Sequence, residues 1–199
     1  MIYVELQLAN MVSRSCLRLV KLYFSNIDGV EIRSVRLGNA SIEYQFDKIH
    51  PRQIEVHFER IGFKVIKEEN DQIVEKIKAA AIELIHWSNN TNSLIRNSDY
   101  ISEKIGLPYT KLSKLFSEHY SITLEKFIIL LKMEKVKTML LEKNYSLSEI
   151  SYYMGYSSVN YLSSQFKKAT GQTVSKFKKA ASREDLIPLD EVLTSQVFA

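Results

Sequence analysis

The sequence predicts an α+β chain: an N-terminal ferredoxin-like βαββαβ sandwich, then an all-α region of two helix-turn-helix units. Three observations predict this. Residues 2–66 alternate between period-2 and period-3.6 hydrophobicity in the order strand, helix, strand, strand, helix, strand. Between residues 72 and 182 the apolar spacing is mainly helical. Within that helical half, one pattern of apolar and polar residues occurs twice, 50 residues apart.

In chain order, Ile2 to Leu8 alternates apolar and polar as a strand does, and Ser13 to Ser25 sets Cys16, Leu17, Val20 and Phe24 on one helical face. Asn26 to Gly29 is a turn. Val30 to Leu37 and Ala40 to Phe46 pair as a hairpin about Gly38-Asn39. Pro51 opens a helix with Ile54, Phe58 and Ile61 inward, Gly62 ends it, and Phe63 to Ile66 is a last short strand. Residues 1–67 thus form one domain, and the charged segment 68–71 reads as a hinge.

Residues 72–182 form the second domain. Ile73 to Trp87 is a long helix with Ile73, Ile77, Ala80, Leu84 and Trp87 as its apolar stripe. Asn89 to Asn97 is a loop of turn formers, after which Ser98-Asp99 caps a helix ending near Ile105. Tyr109 to His119 follows the Gly106-Leu107-Pro108 turn. Thr123 caps Leu124 to Glu142, whose run Ile128-Ile129-Leu130-Leu131 must face protein on more than one side. Ser146 or Ser148 caps a short helix that turns at Gly155 into another, where Val159, Leu162, Phe166 and Ala169 make one stripe. Residues 183–199 are an acidic tail, either docked through its apolar residues or disordered.

The repeat ties these helices together. Leu112, Phe116, Thr123 and Phe127 recur as Leu162, Phe166, Thr173 and Phe177, and the turn glycines Gly106 and Gly155 recur one residue short of that offset. The polar face recurs as well: Thr110, Ser113, Lys114 and Ser117 take the places of Asn160, Ser163, Ser164 and Lys167. One such face also suits an ordinary wet hairpin. Two copies suit a pair of units entering successive major grooves, about 34 Å apart.

The charge follows the same division. Residues 1–70 carry 10 Lys+Arg against 9 Asp+Glu, residues 71–182 carry 16 against 10, and the tail carries 1 against 4. The basic excess therefore sits on the helical half, as on a nucleic-acid footprint. The single cysteine, Cys16, excludes an intrachain disulfide and fits a reducing compartment. No apolar run reaches membrane-spanning length, and MIYVELQL lacks the layout of a signal peptide, so a bacterial-type cytoplasmic protein without membrane contact is expected. There is no P-loop, no glycine-rich dinucleotide loop and no metal-type spacing among His50, His57, His86 and His119, so neither an enzyme nor a cofactor is expected.

Two family resemblances follow from these residues. Asn10-Met11-Val12-Ser13-Arg14-Ser15-Cys16, with the later Gly62-Phe63, is similar to the G-M-T-C-x-x-C loop of heavy-metal-associated domains in copper chaperones. That resemblance implies the sandwich fold. Ser13 replaces the first cysteine, and a soft metal needs two thiolates there, so no metal site is expected and Cys16 alone is a weak candidate. Glu149-Ile150, Gly155-Tyr156-Ser157-Ser158, Tyr161-Leu162-Ser163, Phe166-Lys167-Lys168 and Gly171-Gln172-Thr173 resemble the second unit of AraC/XylS-family transcription regulators. This likeness covers about Gln72 to Lys179; Ser151, Ser164, Val174 and Lys178 depart from the family pattern, and Lys132 stands where the family often has arginine.

The second resemblance implies a sequence-specific regulator of transcription on double-stranded DNA, with RNA polymerase as a further partner and a possible homodimer through the N-terminal domain. Carried onto this chain, Tyr109, Thr110, Ser113, Lys114, Val159, Asn160, Ser163 and Ser164 read bases. Lys111, Lys167, Lys168, Lys176 and Lys178 hold phosphates. The chemistry of the side chains agrees: Asn bridges adenine N6 and N7, Ser bonds several bases, and Lys bonds guanine or phosphate. Two alternatives stand beside this. One is a metal-responsive sensor or chaperone-like protein fused to a DNA-binding domain; the other is an interaction adaptor that has lost DNA binding.

Overall fold

In the computed structural model, which describes residues 1–87 and 96–193, the first strand β1 (Ile2–Ala9) lies inside a four-stranded antiparallel sheet. Its other strands are β2 (Val30–Arg36), β3 (Asn39–Tyr44) and β4 (Lys64–Ile66), in the order β2-β3-β1-β4. Helix α1 (Arg14–Phe24) joins β1 to β2, with β3 between them; α2 (Pro51–Arg60) joins β3 to β4, with β1 between them. The element order expected for this region is thus present.

Side-chain alternation explains the packing. Leu8, Ala40 and Ile42 are fully buried, as are Val20, Phe24 and Phe58 on the helices, and the Phe24 and Phe58 rings lie 4.4 Å apart. Each large apolar side chain buried this way contributes roughly 1.5–3 kcal/mol. Arg33 on β2 reaches Glu31 and Glu43, two carboxylates that face each other across β2 and β3 and would otherwise repel.

The chain divides into two compact units, residues 1–80 and 81–199, each with its own core. The division falls inside α3 (Glu69–Ile82), not in the segment 68–71 expected as a hinge. Glu69 and Asp71 occupy the first turn of α3, where carboxylates suit the positive end of the helix. The long helix expected to reach Trp87 changes pitch: a π-helical turn, Glu83–Trp87, follows α3. The expected loop from Asn89 lies mostly outside the described residues, as do the last six residues of the tail.

The second unit continues with α4 (Asn97–Ile105), α5 (Tyr109–Tyr120), α6 (Leu124–Glu142), α7 (Leu147–Tyr153), α8 (Val159–Thr170) and α9 (Val174–Ala180). Ser98-Asp99 does not cap α4. That helix starts at Asn97, with Arg96 at its N-cap two residues before Ser98 and making no side-chain capping bond, and Asp99 lies in the first turn. Ser146 caps α7 in a reciprocal box with Glu149. Helix α6 is buried around most of its circumference, from Leu124 and Phe127 through Leu131, Met133 and Val136 to Leu140, as its continuous apolar run requires.

The repeat is visible in three dimensions. Leu112, Phe116 and Phe127 are fully buried, as are Leu162 and Phe166, and Phe177 is nearly so. Phe116 stacks on Phe127 at 5.2 Å and Phe166 meets Phe177 at 5.4 Å. Thr123 caps α6 by accepting the Lys126 N–H, and Thr173 caps α9 by accepting the Lys176 N–H. Helices α5 and α8 end alike, with Ser121 and Gly171 in the left-handed conformation.

The tail is docked, at least as far as Leu193. Glu134 and Lys137 on α6 form a buried ion pair at 2.7 Å, and each also bonds the tail backbone. The Ile187 N–H donates to Glu134 Oε2 at 2.9 Å, and Lys137 Nζ donates to the Asp185 carbonyl at 3.3 Å. Val192 is buried beyond them.

Candidate nucleic-acid interface

In each unit, a buried stripe on the second helix leaves the polar face outward. On α5, Leu112 and Phe116 point into the core, so Thr110, Lys111 and Lys114 are exposed and Ser113 is half-buried. On α8, Leu162 and Phe166 do the same for exposed Asn160 and Ser164 and half-buried Val159 and Ser163. Lys167 and Lys168 in the last turn of α8, and Lys176 and Lys178 on α9, are all exposed. Among the described residues none of these four lysines, nor Lys111, forms an ion pair, whereas Lys114 lies 3.8 Å from Glu118.

Tyr109 is half-buried, and its hydroxyl donates to Glu125 Oε1 at 2.7 Å. Burial and that bond push the phenol well above the ordinary tyrosine range, and the same bond holds the Glu125 carboxyl below its usual value. Tyr109 therefore ties the start of α5 to α6, and only the remainder of its ring is open to a base. The start of α8 is fixed differently, by Ser158 Oγ accepting the Tyr161 N–H at 3.1 Å.

Two residues outside the expected list lie close to this surface. Tyr161, 52% exposed, stands in the first turn of α8 beside Asn160, with its ring 5.8 Å from that of Tyr156. The i, i+3, i+4, i+7 spacing used to define the polar face passes over it, because the next residue on a helix is turned by about 100°. Lys132 on α6 donates to the Met154 carbonyl at 3.1 Å and lies over the Tyr156 ring. The arginine-like place of Lys132 in the sequence was its only signal.

The loop before α1 offers little to a metal. Met11 is buried, and Ser13 Oγ accepts the Cys16 N–H as the cap of α1 while lying 3.3 Å from Cys16 Sγ. One thiol beside a capping hydroxyl does not fit a two-thiolate soft-metal site. Among the described residues no group of three or more His, Cys, Asp or Glu side chains is placed to hold a metal ion. No helix among them is long and apolar enough to cross a membrane.

Comparison with known proteins places the same region. A family model described as a helix-turn-helix domain matches residues 101–180. The chain is 28% identical over 159 residues to the xylose operon regulatory protein of Escherichia coli K12, covering 77% of this chain and 41% of that protein. It is 33% identical over 86 residues to an uncharacterised HTH-type transcriptional regulator of Pseudoalteromonas carrageenovora, covering 43% of this chain and 51% of that one. It is 26% identical over 103 residues to the transcriptional activator RhaS of Pectobacterium carotovorum, covering 51% and 37% respectively. The chain spans less than half the length of the xylose operon regulator. Residues 101–180 thus match a helix-turn-helix domain, and the chain is similar to these three transcription regulators.

Proposed function

We propose that the chain is a sequence-specific DNA-binding transcription regulator that enters two successive major grooves of one duplex with α5 and α8. The observation that carries this reading is the duplicated geometry: both second helices bury the same apolar pair and expose the same polar face. Packing alone gives no reason to keep that face accessible twice. Thr110, Ser113 and Lys114 then read bases from α5, and Val159, Asn160, Ser163 and Ser164 from α8, with Tyr109 adding a ring edge. Lys111, Lys167, Lys168, Lys176 and Lys178 hold phosphates, and a cytoplasmic location follows from that role.

The N-terminal unit belongs to the proposal as a ferredoxin-like sandwich related to heavy-metal-associated domains, with its metal loop degraded. Its strand order and split βαβ connections support that reading. The proposal further includes a homodimer through this unit, whose β2 lies at a sheet edge, and contact with RNA polymerase. The metal-responsive alternative is not adopted, because Ser13 uses its hydroxyl to cap α1.

Selection of bound sites from a random duplex pool tests the function. A bipartite motif is expected, with two blocks one helical turn apart, about 10 bp. Enrichment of no sequence over the starting pool would leave an interaction adaptor as the better account.

A further inference from the structure

Between the two helix-turn-helix units a cleft of about 460 Å³ runs beside α6. It is lined by Tyr109 and Tyr161 from the first turns of α5 and α8, by Glu125, Ile128 and Lys132 of α6, and by Tyr156. A volume of this size falls in the range of ordinary ligand sites.

Lys132 is the unusual member. Its ammonium has three N–H donors, of which one meets the Met154 carbonyl, while the Tyr156 ring covers it at 5.4 Å from the centroid. Among the described residues no carboxylate pairs with it. The carboxylate of the cleft, Glu125, stands seven residues earlier on α6, about 10 Å along the helix axis, and is engaged by the Tyr109 hydroxyl. A largely desolvated cation without a counter-ion is costly, and burial already holds the Lys132 pKa below the ordinary lysine range. The hydroxyls of Tyr156 and Tyr161 donate to no other described residue, which leaves two further donors in the same lining.

We propose that this cleft is an oxyanion seat, in which Lys132 with Tyr156 and Tyr161 binds a phosphate- or carboxylate-type group. Two sources supply that chemistry: a backbone phosphate of a bound duplex where it passes between the two units, or a small free oxyanion. In either case the occupant touches the first turn of α8 through Tyr161. The first source rests on the DNA-reading function proposed above; the second does not.

The test uses the full chain and Lys132→Met, which keeps the aliphatic stem, with Lys132→Arg as the charge-retaining control. One arm measures the melting temperature in inorganic phosphate against chloride at equal ionic strength. The other measures the salt dependence of binding to a random-sequence duplex. A phosphate-induced rise in melting temperature that is present in the wild type and in Lys132→Arg but lost in Lys132→Met assigns the seat to a free oxyanion. A salt slope smaller by about one unit in Lys132→Met alone assigns it to a DNA phosphate. Behaviour of Lys132→Met identical to wild type in both arms overturns the proposal. Should that variant not melt cooperatively, Tyr161→Phe at the exposed rim carries the same comparison, with at least a twofold loss expected in one arm and equality with wild type again decisive against. If the wild type binds no duplex at any salt, the DNA-reading function fails while the phosphate arm still decides the seat.

Discussion

Asn160 is the exposed amide on the polar face of α8, and an amide is the side chain that bridges adenine N6 and N7. Asn160→Ala is expected to relax base preference in one block of the site and to cost about 1–3 kcal/mol on the preferred sequence. Site selection with the mutant checks this, and an unchanged motif would remove Asn160 from the readers. Lys167 and Lys168 should act on every sequence alike, so alanine at either lowers the salt slope of binding by about one unit. His86 gives a prediction of a different kind. Neutral and donating from Nε2 to the Leu131 carbonyl at 3.2 Å, it is held by burial at a pKa of about 4 instead of 6.5. Its folded pKa is lowered, so between pH 6.5 and 4 the unfolded chain binds a proton that the fold refuses. Stability therefore falls as pH falls through that window, by about 3 kcal/mol in all. His86→Gln keeps a donor and loses the titration, and its melting temperature should vary less with pH than the wild type over that range. At this scale the sequence displayed residue types at helical spacing, which was enough to place Asn160 and the lysines on exposed helix faces. It could not display partners: that Tyr109 is tied to Glu125, or that Lys132 meets the Met154 carbonyl and no carboxylate among the described residues, depends on contacts from 16 to 22 residues apart in the chain.

Among the elements, α6 joins the two copies of the repeat and is clamped from the tail side. Replacing Glu134 by Ala leaves the Lys137 ammonium buried without its partner and frees the Ile187 N–H. Breaking a buried pair in this way costs about 3–5 kcal/mol, and a urea titration should show a lower midpoint with an unchanged slope. Equal midpoints for mutant and wild type would mean that the pair is not closed in solution. Several helices were legible because caps and apolar periods are local properties: Thr123 and Ser146 each cap the helix that follows them. The docking of the tail was not legible. Its attachment runs through backbone groups of Asp185 and Ile187, and a backbone N–H or carbonyl looks the same at every position of a sequence. The start of α4 was missed for a related reason, since Asp99 suits the first turn of a helix as well as its cap.

For the chain as a whole, element order in the N-terminal unit followed from periodicity, but the division between units did not, because α3 is continuous across residue 80 and its acidic start imitates a linker. In the proposed function α5 and α8 act together on one duplex. They belong to one unit of the structure and share α6, a 19-residue helix buried on most sides, so their separation is set by a rigid body and not by a flexible tether. A rigid spacing makes a strong prediction about DNA. Inserting 5 bp between the two blocks of the selected site turns the second block to the opposite side of the duplex, where α8 cannot follow while α5 stays seated. The bases of one block are then lost together, each worth about 1–3 kcal/mol, so affinity should drop on the order of 100-fold or more. A flexible pair of units would instead lose only the cost of lengthening a tether, which changes slowly with span. Titration of the native and the 5 bp-inserted duplex at one fixed salt concentration separates the two cases: a loss below about threefold would mean that α5 and α8 bind independently.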